Sequence, residues 1–203
     1  MEYLHVGCLS LVGLVFAVSA VAKARDLPGF ARSVAALAPA WPSTLRPPAR
    51  PLTEPLTEPL TEPRGRPSRS PSGRPLGEPV ARRIAAGVVA AEAAIPVLLL
   101  VPGTARAGFV LAALLLTAFN VAIASALRRG RRTPCRCFGA SAAPVGPRHL
   151  VRNALLFLTA AAGALAPGAL PAPPGMAVAA AAGIIGAILL VSFDEIFDLF
   201  AGS

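Results

Sequence analysis

Two cysteines separated by one residue are the part of this sequence best suited to chemistry. Cys135 and Cys137 lie in the segment 131–139, and Arg136 stands between them. The thiolate is the reactive form of cysteine, and neighbouring cations stabilise it. A disulfide across one intervening residue closes a very small ring, so we expect it to be strained, readily reduced and therefore oxidising. This pattern is typical of a thiol-disulfide exchange site, with Cys135 and Cys137 as the redox pair.

Two other interpretations of the pair stay open. The cysteines are inert loop residues in the first. In the second they are half of a metal site, although two thiolates leave a tetrahedral zinc short of ligands and His149 is the only nearby imidazole. Cu(I) accepts two sulfurs and is the softer choice. The redox interpretation needs no metal, and it treats Cys8 as a small buried hydrophobe instead of a third partner.

Polar residues inside apolar runs are the second chemical signal, because lipid makes them costly and they tend to face the interior of a bundle. Lys23, Glu92 and Asn120 lie within or at the end of such runs, and Arg152 with Asn153 begins another. An ion pair between Lys23 and Glu92, or interhelical hydrogen bonds, would explain them structurally. The functional interpretation is a polar site that supports the thiol pair by moving protons or accepting an electron carrier. Its predicted members are Lys23, Glu92, Arg136, Arg152 and Asn153.

The elements that position these residues are predicted to be membrane helices. Of 203 residues 55% are apolar and 14% are charged, the mean hydropathy is +0.64, and the apolar residues form long runs. Runs of roughly 18 residues or more cross a hydrocarbon core of about 30 Å as helices, which satisfy their own backbone groups. The first run would alternatively serve as a cleavable signal peptide, but no Lys or Arg precedes it. The five runs are Leu4 to Ala22, Ile84 to Val101, Ala107 to Leu127, Leu150 to Ala166 and Met176 to Phe193.

The predicted fold is therefore all-α, an integral membrane bundle with a four-helix core and a fifth, C-terminal transmembrane helix. Between the first two helices a PLTE repeat runs from Pro51 to Pro63, and its regularly spaced prolines prevent a continuous helix. We predict a disordered insert there. The predicted divisions are 1–42 (first helix and following segment), 43–79 (insert), 80–166 (helices two to four with the Cys loop) and 167–203 (last helix and acidic C-terminus).

The placement of charge predicts the orientation in the membrane. The net charge is +9, and 18 of the 19 Lys and Arg residues fall in the segments 23–83 and 128–152, which share one face of a five-helix threading. Positively charged loops stay in the cytoplasm. We therefore predict a multi-pass protein of the plasma membrane with the N-terminus outside, the C-terminus inside and the cysteine pair on the cytoplasmic side. The charge indicates contact with the lipid bilayer and not with nucleic acid.

The order of these features resembles the MauE family, the methylamine utilisation membrane proteins grouped with DoxX-like redox-associated proteins. The resemblance covers about three quarters of the chain, omits the PLTE insert and is weak over the last helix. Its most specific part is the Cys-x-Cys-Phe-Gly core followed by Val-Arg-Asn. The matching pieces are Phe16, Ser19 to Lys23, Asp26 to Phe30, Glu92, Arg129-Gly130, Cys135 to Gly139 and Leu150 to Asn153.

The resemblance implies a part in the processing, transport or maturation of the disulfide-rich light subunit of methylamine dehydrogenase, and so in methylamine metabolism. It makes Cys135 and Cys137 the redox pair. The implied partner is a thioredoxin-like protein or a disulfide-bearing client, and the activity, if enzymatic, is that of a thiol-disulfide oxidoreductase. The sequence assigns no particular cofactor, and a membrane quinone or another electron carrier would accept the electrons.

One conflict remains open at this stage. Disulfides of that subunit form outside the cytoplasm, whereas the charge pattern places the pair inside. Either electrons cross the membrane, the loop folds back into the bundle, or the protein serves another thiol pathway. The alternative from a different class is a membrane scaffold or small-solute carrier, in which Glu92, Lys23 and Asn120 line a path and the cysteines are incidental.

Overall fold

The computed structural model describes residues 2–37, 77–128, 147–166 and 172–193. The predicted all-α class is confirmed in this part of the chain. The predicted insert, 43–79, lies outside the described residues up to position 76, and the second long helix begins at Glu78, within the last two positions of that range. The helices are α1 (Glu2–Arg25), α2 (Leu27–Leu37), α3 (Glu78–Leu100), α4 (Ala105–Arg128), α5 (Pro147–Leu165) and α6 (Pro173–Val191).

Four of these helices, α1, α3, α4 and α6, are long and apolar enough to cross a membrane. They correspond to the first, second, third and fifth predicted runs, and they support a multi-pass membrane protein. The fourth predicted run is also helical, as α5, but its mean hydropathy falls below that of the other four. The difference comes from its first two turns, which contain Arg148, His149, Arg152 and Asn153.

The short helix α2 is an element that the hydropathy pattern does not predict separately. It follows Asp26, whose side-chain carboxylate accepts a hydrogen bond from the backbone N–H of Gly29 at 3.0 Å. A carboxylate before a first turn that contains Pro28 is a helix-start signal, so the sequence did hold a marker for this helix. Helix α2 packs on α3, where Phe30 meets Ala85.

Helices α1, α3, α4 and α5 form a closed ring, in which α1 packs on α3, α3 on α4, α4 on α5, and α5 again on α1. Helix α6 lies outside the ring against α1. Four helices thus surround the core, and α6 is an additional helix beside them. Large apolar side chains such as Leu114 and Val178 are exposed on the outside, as expected for a surface in lipid. The ring is filled by Val12, Val15, Phe16, Ile95, Leu99, Phe109, Ala112, Leu116, Leu156 and Ala160.

The two ends of the ring are named here after residues of α1, the His5 end and the Lys23 end. Helix α3 is antiparallel to α1, because Leu99 near its C-terminus lies beside Gly13 while Glu92 lies beside Ser19, closer to the Lys23 end. Helix α4 therefore runs from the His5 end to the Lys23 end, and α5 returns. The connection between α4 and α5, which contains the cysteine pair, thus begins and ends at the Lys23 end.

The far end of α5 is held by side chains from its two neighbours in the ring. The last carbonyl groups of a helix lack intrahelical partners. His5 of α1 contacts the carbonyl oxygen of Gly163 through Nδ1 at 3.2 Å, and Arg106 of α4 donates from Nε to the carbonyl oxygen of Ala164 at 3.3 Å. Since a carbonyl oxygen only accepts, Nδ1 of His5 carries the proton. The C-terminus of α5 is therefore fixed at the His5 end.

Helix α6 is parallel to α1 and approaches it closely through glycines. Ala179 lies beside Gly7, and further along both helices Gly186 lies beside Leu11. At Gly183 an added Cβ would collide with the backbone carbonyl oxygen of Gly7. The absence of a side chain at Gly183 lets the two backbones meet, which is a common device for packing helices in lipid.

We expect Gly183→Ala to destabilise the protein by about 1 to 3 kcal/mol, because the new Cβ meets backbone that cannot move without shifting a helix. Gly87→Ala is the matched control, since a Cβ there has no neighbour within 4 Å. Both changes raise helix propensity by roughly the same 1 kcal/mol. Thermal unfolding in detergent should therefore move in opposite directions for the two variants. A melting temperature for Gly183→Ala at or above that of Gly87→Ala would contradict the close contact.

Candidate functional site

A buried ion pair links α1 to α3 near the Lys23 end. The Lys23 ammonium contacts Oε1 of Glu92, and the two side chains are 1% and 0% exposed. Lys23 occupies the last turn of α1, and Glu92 lies in the middle of α3. The structural pairing expected from the sequence is therefore present. Charges removed from water in this way are costly unless they are paired and hydrogen-bonded.

Ser19 completes the pair as a hydrogen-bonded triangle. It lies four residues before Lys23, so both side chains project from the same face of α1. The Lys23 ammonium donates to the Ser19 hydroxyl at 2.9 Å, and that hydroxyl donates to Oε2 of Glu92 at 3.1 Å. The hydroxyl thus accepts from the cation and donates to the anion. This arrangement satisfies both carboxylate oxygens of Glu92.

Two aromatic rings enclose the ammonium group. The Lys23 Nζ lies 5.2 Å from the centre of the Phe30 ring and 4.9 Å from the centre of the Phe119 ring. Phe30 comes from α2 and Phe119 from α4. Both distances allow a cation–π interaction, which strengthens when water is excluded. Helix α2 therefore helps to enclose the ion pair, since its buried Phe30 covers the Lys23 ammonium at the edge of the four-helix ring.

Helix α5 brings the remaining predicted residues to the same end. Arg152 and Asn153 are buried, with 3% and 2% exposure, and His149 one turn earlier is 4% exposed. Arg152 lies close enough to Lys23 for the two positive charges to influence each other. All four helices of the ring thus contribute polar or aromatic groups near the Lys23 end. The structure thus places Lys23, Glu92 and Arg152 at the same end of the bundle.

Two amide oxygens near this end are left without hydrogen bonds. The Oδ1 atoms of Asn120 in α4 and Asn153 in α5 are buried and have no hydrogen-bond partner among the described residues. Buried polar atoms are normally satisfied, and exceptions often mark a place where water or a ligand enters. These two oxygens are therefore the places at this end where a water molecule or ligand would find an acceptor.

The cysteine pair itself, with Arg136, lies outside the described residues. The structure fixes the two flanking helix ends, Arg128 and Pro147, both at the Lys23 end. Cys8, by contrast, lies in the apolar core as a free thiol, and it is the small buried side chain that the sequence predicts. Among the described residues no group of three or more His, Cys, Asp or Glu side chains could hold a metal ion.

Sequence reasoning did not assign three residues that contact the ion pair, namely Ser19, Phe30 and Phe119. Ser19 carried a usable signal, because its spacing of four from Lys23 places it on the same helix face. Phe30 and Phe119 carried none, since phenylalanine in an apolar run gives no hint of a cationic neighbour. Their role depends on how α2 and α4 pack.

The chain was compared with known protein families, curated proteins and solved structures. Residues 70–166 match the model of the MauE family, described as Methylamine utilisation protein MauE. The resemblance noted from the sequence is confirmed over this range. It includes Glu92, Cys135, Cys137 and Arg152, whereas Lys23 precedes it. No curated protein and no solved structure matches the chain.

We expect the ion pair to show strong coupling in a double-mutant cycle. Lys23→Met and Glu92→Gln each leave the partner buried without its counter-charge, which costs about 3 to 5 kcal/mol. The double variant carries neither charge, so it should lose much less than the sum. Thermal unfolding in detergent measures all four proteins.

Arg25→Gln is the matched control for this cycle, because Arg25 lies on the same last turn of α1 but is exposed. Its free energy of unfolding should change by no more than about 0.5 kcal/mol, as for an ordinary surface substitution. Additive effects of Lys23→Met and Glu92→Gln would mean that the two groups do not act as a pair.

Proposed function

We propose that this protein is a membrane redox-associated factor that uses Cys135 and Cys137 as a thiol pair, in the manner implied for MauE proteins. The match to that family implies a role in methylamine utilisation, which we extend to the processing, transport or maturation of a disulfide-bearing client such as the methylamine dehydrogenase light subunit. The observation that carries the proposal is the family match over residues 70–166, a range that includes both cysteines.

The proposed reaction is a two-electron exchange. The Cys135–Cys137 disulfide breaks as a disulfide forms in the client or in a thioredoxin-like partner, and the pair gains two electrons and two protons. Passing them to a membrane quinone or another two-electron carrier restores the disulfide. The strain expected of a one-residue spacing makes the pair an oxidant relative to ordinary structural disulfides.

The buried polar cluster is proposed to support this chemistry. Both ends of the cysteine loop are attached at the Lys23 end, where Lys23, Glu92 and Arg152 lie. Positive charge beside a thiol favours the thiolate. Arg152 lies near the start of α5, the helix that directly follows the loop. Arg136 and Asn153 complete the proposed supporting site. Burying charged side chains inside a membrane helix bundle costs free energy, and such residues usually serve a function.

We also propose that α5 crosses the membrane as the fourth of five spans. It runs from the Lys23 end, where Arg152 is near Lys23, to the His5 end, where Gly163 contacts His5. Its 19 residues rise by roughly 28 Å, which is close to the thickness of a hydrocarbon core. The parallel packing of α6 on α1 supports the same threading, because a fifth span runs in the direction of the first. The polar start of α5 faces inward against the ion pair instead of facing lipid.

The proposed orientation has the N-terminus outside, the C-terminus in the cytoplasm and the cysteine pair on the cytoplasmic side of the plasma membrane. It rests on the charge of the loop and its flanks, since residues 128–152 contain seven arginines and no acidic residue. Helix α1 packs on α3, α5 and α6 and carries Lys23, which supports its role as a permanent span and not as a cleaved signal.

A carrier or scaffold is the second candidate. The unsatisfied amide oxygen of Asn120 is the observation in its favour. Against it, the Lys23 and Glu92 side chains are closed on each other and almost fully buried, so a solute would have to displace the ion pair. Neighbouring genes discriminate the two candidates, because a thioredoxin-like protein or amine dehydrogenase favours maturation and a substrate-binding protein favours transport.

We expect Cys135 and Cys137 to be cytoplasmic. In a Cys8→Ala variant, a membrane-impermeant maleimide added to intact cells after mild reduction should leave the protein unlabelled, and permeabilised cells should label it. The permeabilised sample is the positive control for thiol reactivity. Strong labelling of intact cells would reverse the orientation and remove the conflict with an extracytoplasmic client.

We expect the cysteine pair to cycle between dithiol and disulfide, and function to need both sulfurs. In purified Cys8→Ala protein, mass-tagging of free thiols across a glutathione series should show one two-electron transition, at a potential above that of ordinary structural disulfides. Cys135→Ser and Cys137→Ser should each abolish it. Glu92→Gln should shift the transition if the polar cluster acts on the thiols.

Two results would contradict the redox proposal. The first is a pair that stays reduced in every oxidising buffer, and the second is wild-type client maturation in cells by both serine variants. Metal analysis of the same protein then separates the remaining interpretations. A stoichiometric copper or zinc ion that is lost in the serine variants would make the cysteines ligands, whereas no metal would leave the carrier or scaffold.

A further inference from the structure

The exposed charges of the described helices are distributed very unevenly between the two ends of the bundle. At the His5 end Glu2 and Arg106 are exposed and oppose each other in sign. At the Lys23 end the exposed charged residues are five arginines and one glutamate, while Asp26 is half-buried and engaged with the start of α2. These residues are Arg25, Arg32, Arg82, Arg83, Arg128 and Glu78.

The arginines lie directly beyond the apolar outer wall of the bundle. Ile84, which is 44% exposed, is followed towards the Lys23 end by Arg83 and Arg82 on the first turns of α3. Val21 of α1, 50% exposed, is followed by Arg25 in the same way. An apolar wall that changes abruptly to cations marks the depth at which lipid headgroups begin. The long arginine side chains can extend from that level to phosphate groups.

Helix α2 concentrates this charge at one corner. Its inner side packs on α3, with Phe30 against Ala85, and its outer side presents Arg32, the neighbour of buried Ala31. Arg82 and Arg83 precede Ala85 by less than one turn of α3. Three exposed arginines therefore flank a single helix–helix contact, and their planar guanidinium groups are well matched to phosphate oxygens.

We propose that the corner formed by Arg32, Arg82 and Arg83 is a binding surface for the phosphate headgroup of an anionic phospholipid. The lipid tail would lie further towards the His5 end, against exposed apolar side chains of α3 such as Ile84. Charge complementarity selects an anionic headgroup over a zwitterionic one, because the second carries a cation that the arginines repel. This surface is separate from the buried cluster, so the proposal does not depend on the thiol chemistry.

Detergent-purified full-length protein tests the proposal, with phosphatidylglycerol and phosphatidylcholine of the same acyl chains as probes. Native mass spectrometry should show tighter retention of phosphatidylglycerol, and that lipid should raise the melting temperature more. Each arginine near an anionic headgroup contributes roughly a fivefold factor in affinity. Replacing all three arginines by glutamine should therefore weaken phosphatidylglycerol retention by at least about tenfold.

Two further variants keep the test specific. The triple lysine variant retains the charge and should retain much of the lipid preference, and Arg106→Gln removes a charge at the opposite end and should keep all of it. Equal retention of both lipids by the wild type, or unchanged preference in the triple glutamine variant, would overturn the proposal. So would a preference that appears only after Asp194, Glu195 and Asp198 are neutralised, because the chain's own acidic segment would then occupy the corner.

Discussion

The ion pair between Lys23 and Glu92 is the interaction on which the polar end of this bundle depends. It joins the end of α1 to the middle of α3 where neither charge is exposed to water. A buried cation and a buried anion are tolerable together but costly apart. The register of α1 against α3 is therefore constrained, because sliding either helix by one turn would separate the charges. The hydroxyl of Ser19 adds to this constraint by bridging both partners.

Other elements are arranged around that pair. Helix α2 contributes Phe30 and α4 contributes Phe119, so the ammonium lies between two aromatic faces. Helix α5 contributes Arg152, a second cation near the first. The opposite end of α5 is fixed differently, by side chains that bind its last carbonyl groups. The ring is thus closed by charged and aromatic side chains at one end and by capping at the other, with an apolar core between them.

The difference between the charged Lys23 end and the capped His5 end bears on the proposed thiol chemistry. Both helix ends that flank the cysteine segment lie at the Lys23 end, which also holds the buried Lys23 and Arg152, and positive charge near a thiol favours the thiolate. Along α1 the distance from His5 to Lys23 is about 27 Å, taking 1.5 Å per residue. A client on the outer side would therefore need an electron carrier, or a different route, to exchange electrons with the pair. The orientation of the pair is accordingly central to the choice of client.

The sequence by itself determined the helical class, four of the five predicted apolar runs as candidate spans, and the presence of costly polar groups within the runs, because hydropathy and backbone satisfaction in lipid leave few alternatives. It also offered a Lys23–Glu92 ion pair as one explanation of those groups, since buried charges in a membrane helix tend to be paired. Tertiary structure alone decided that Phe30 and Phe119 cover Lys23, and that His5 and Arg106 cap α5. Those contacts join residues far apart in the chain, and phenylalanine or a single histidine in an apolar run carries no local signal of its partner. The place of α5 in the ring was likewise decided by packing, because its polar first turns reduce its hydropathy while the inner face of the ring accommodates Arg152 and Asn153.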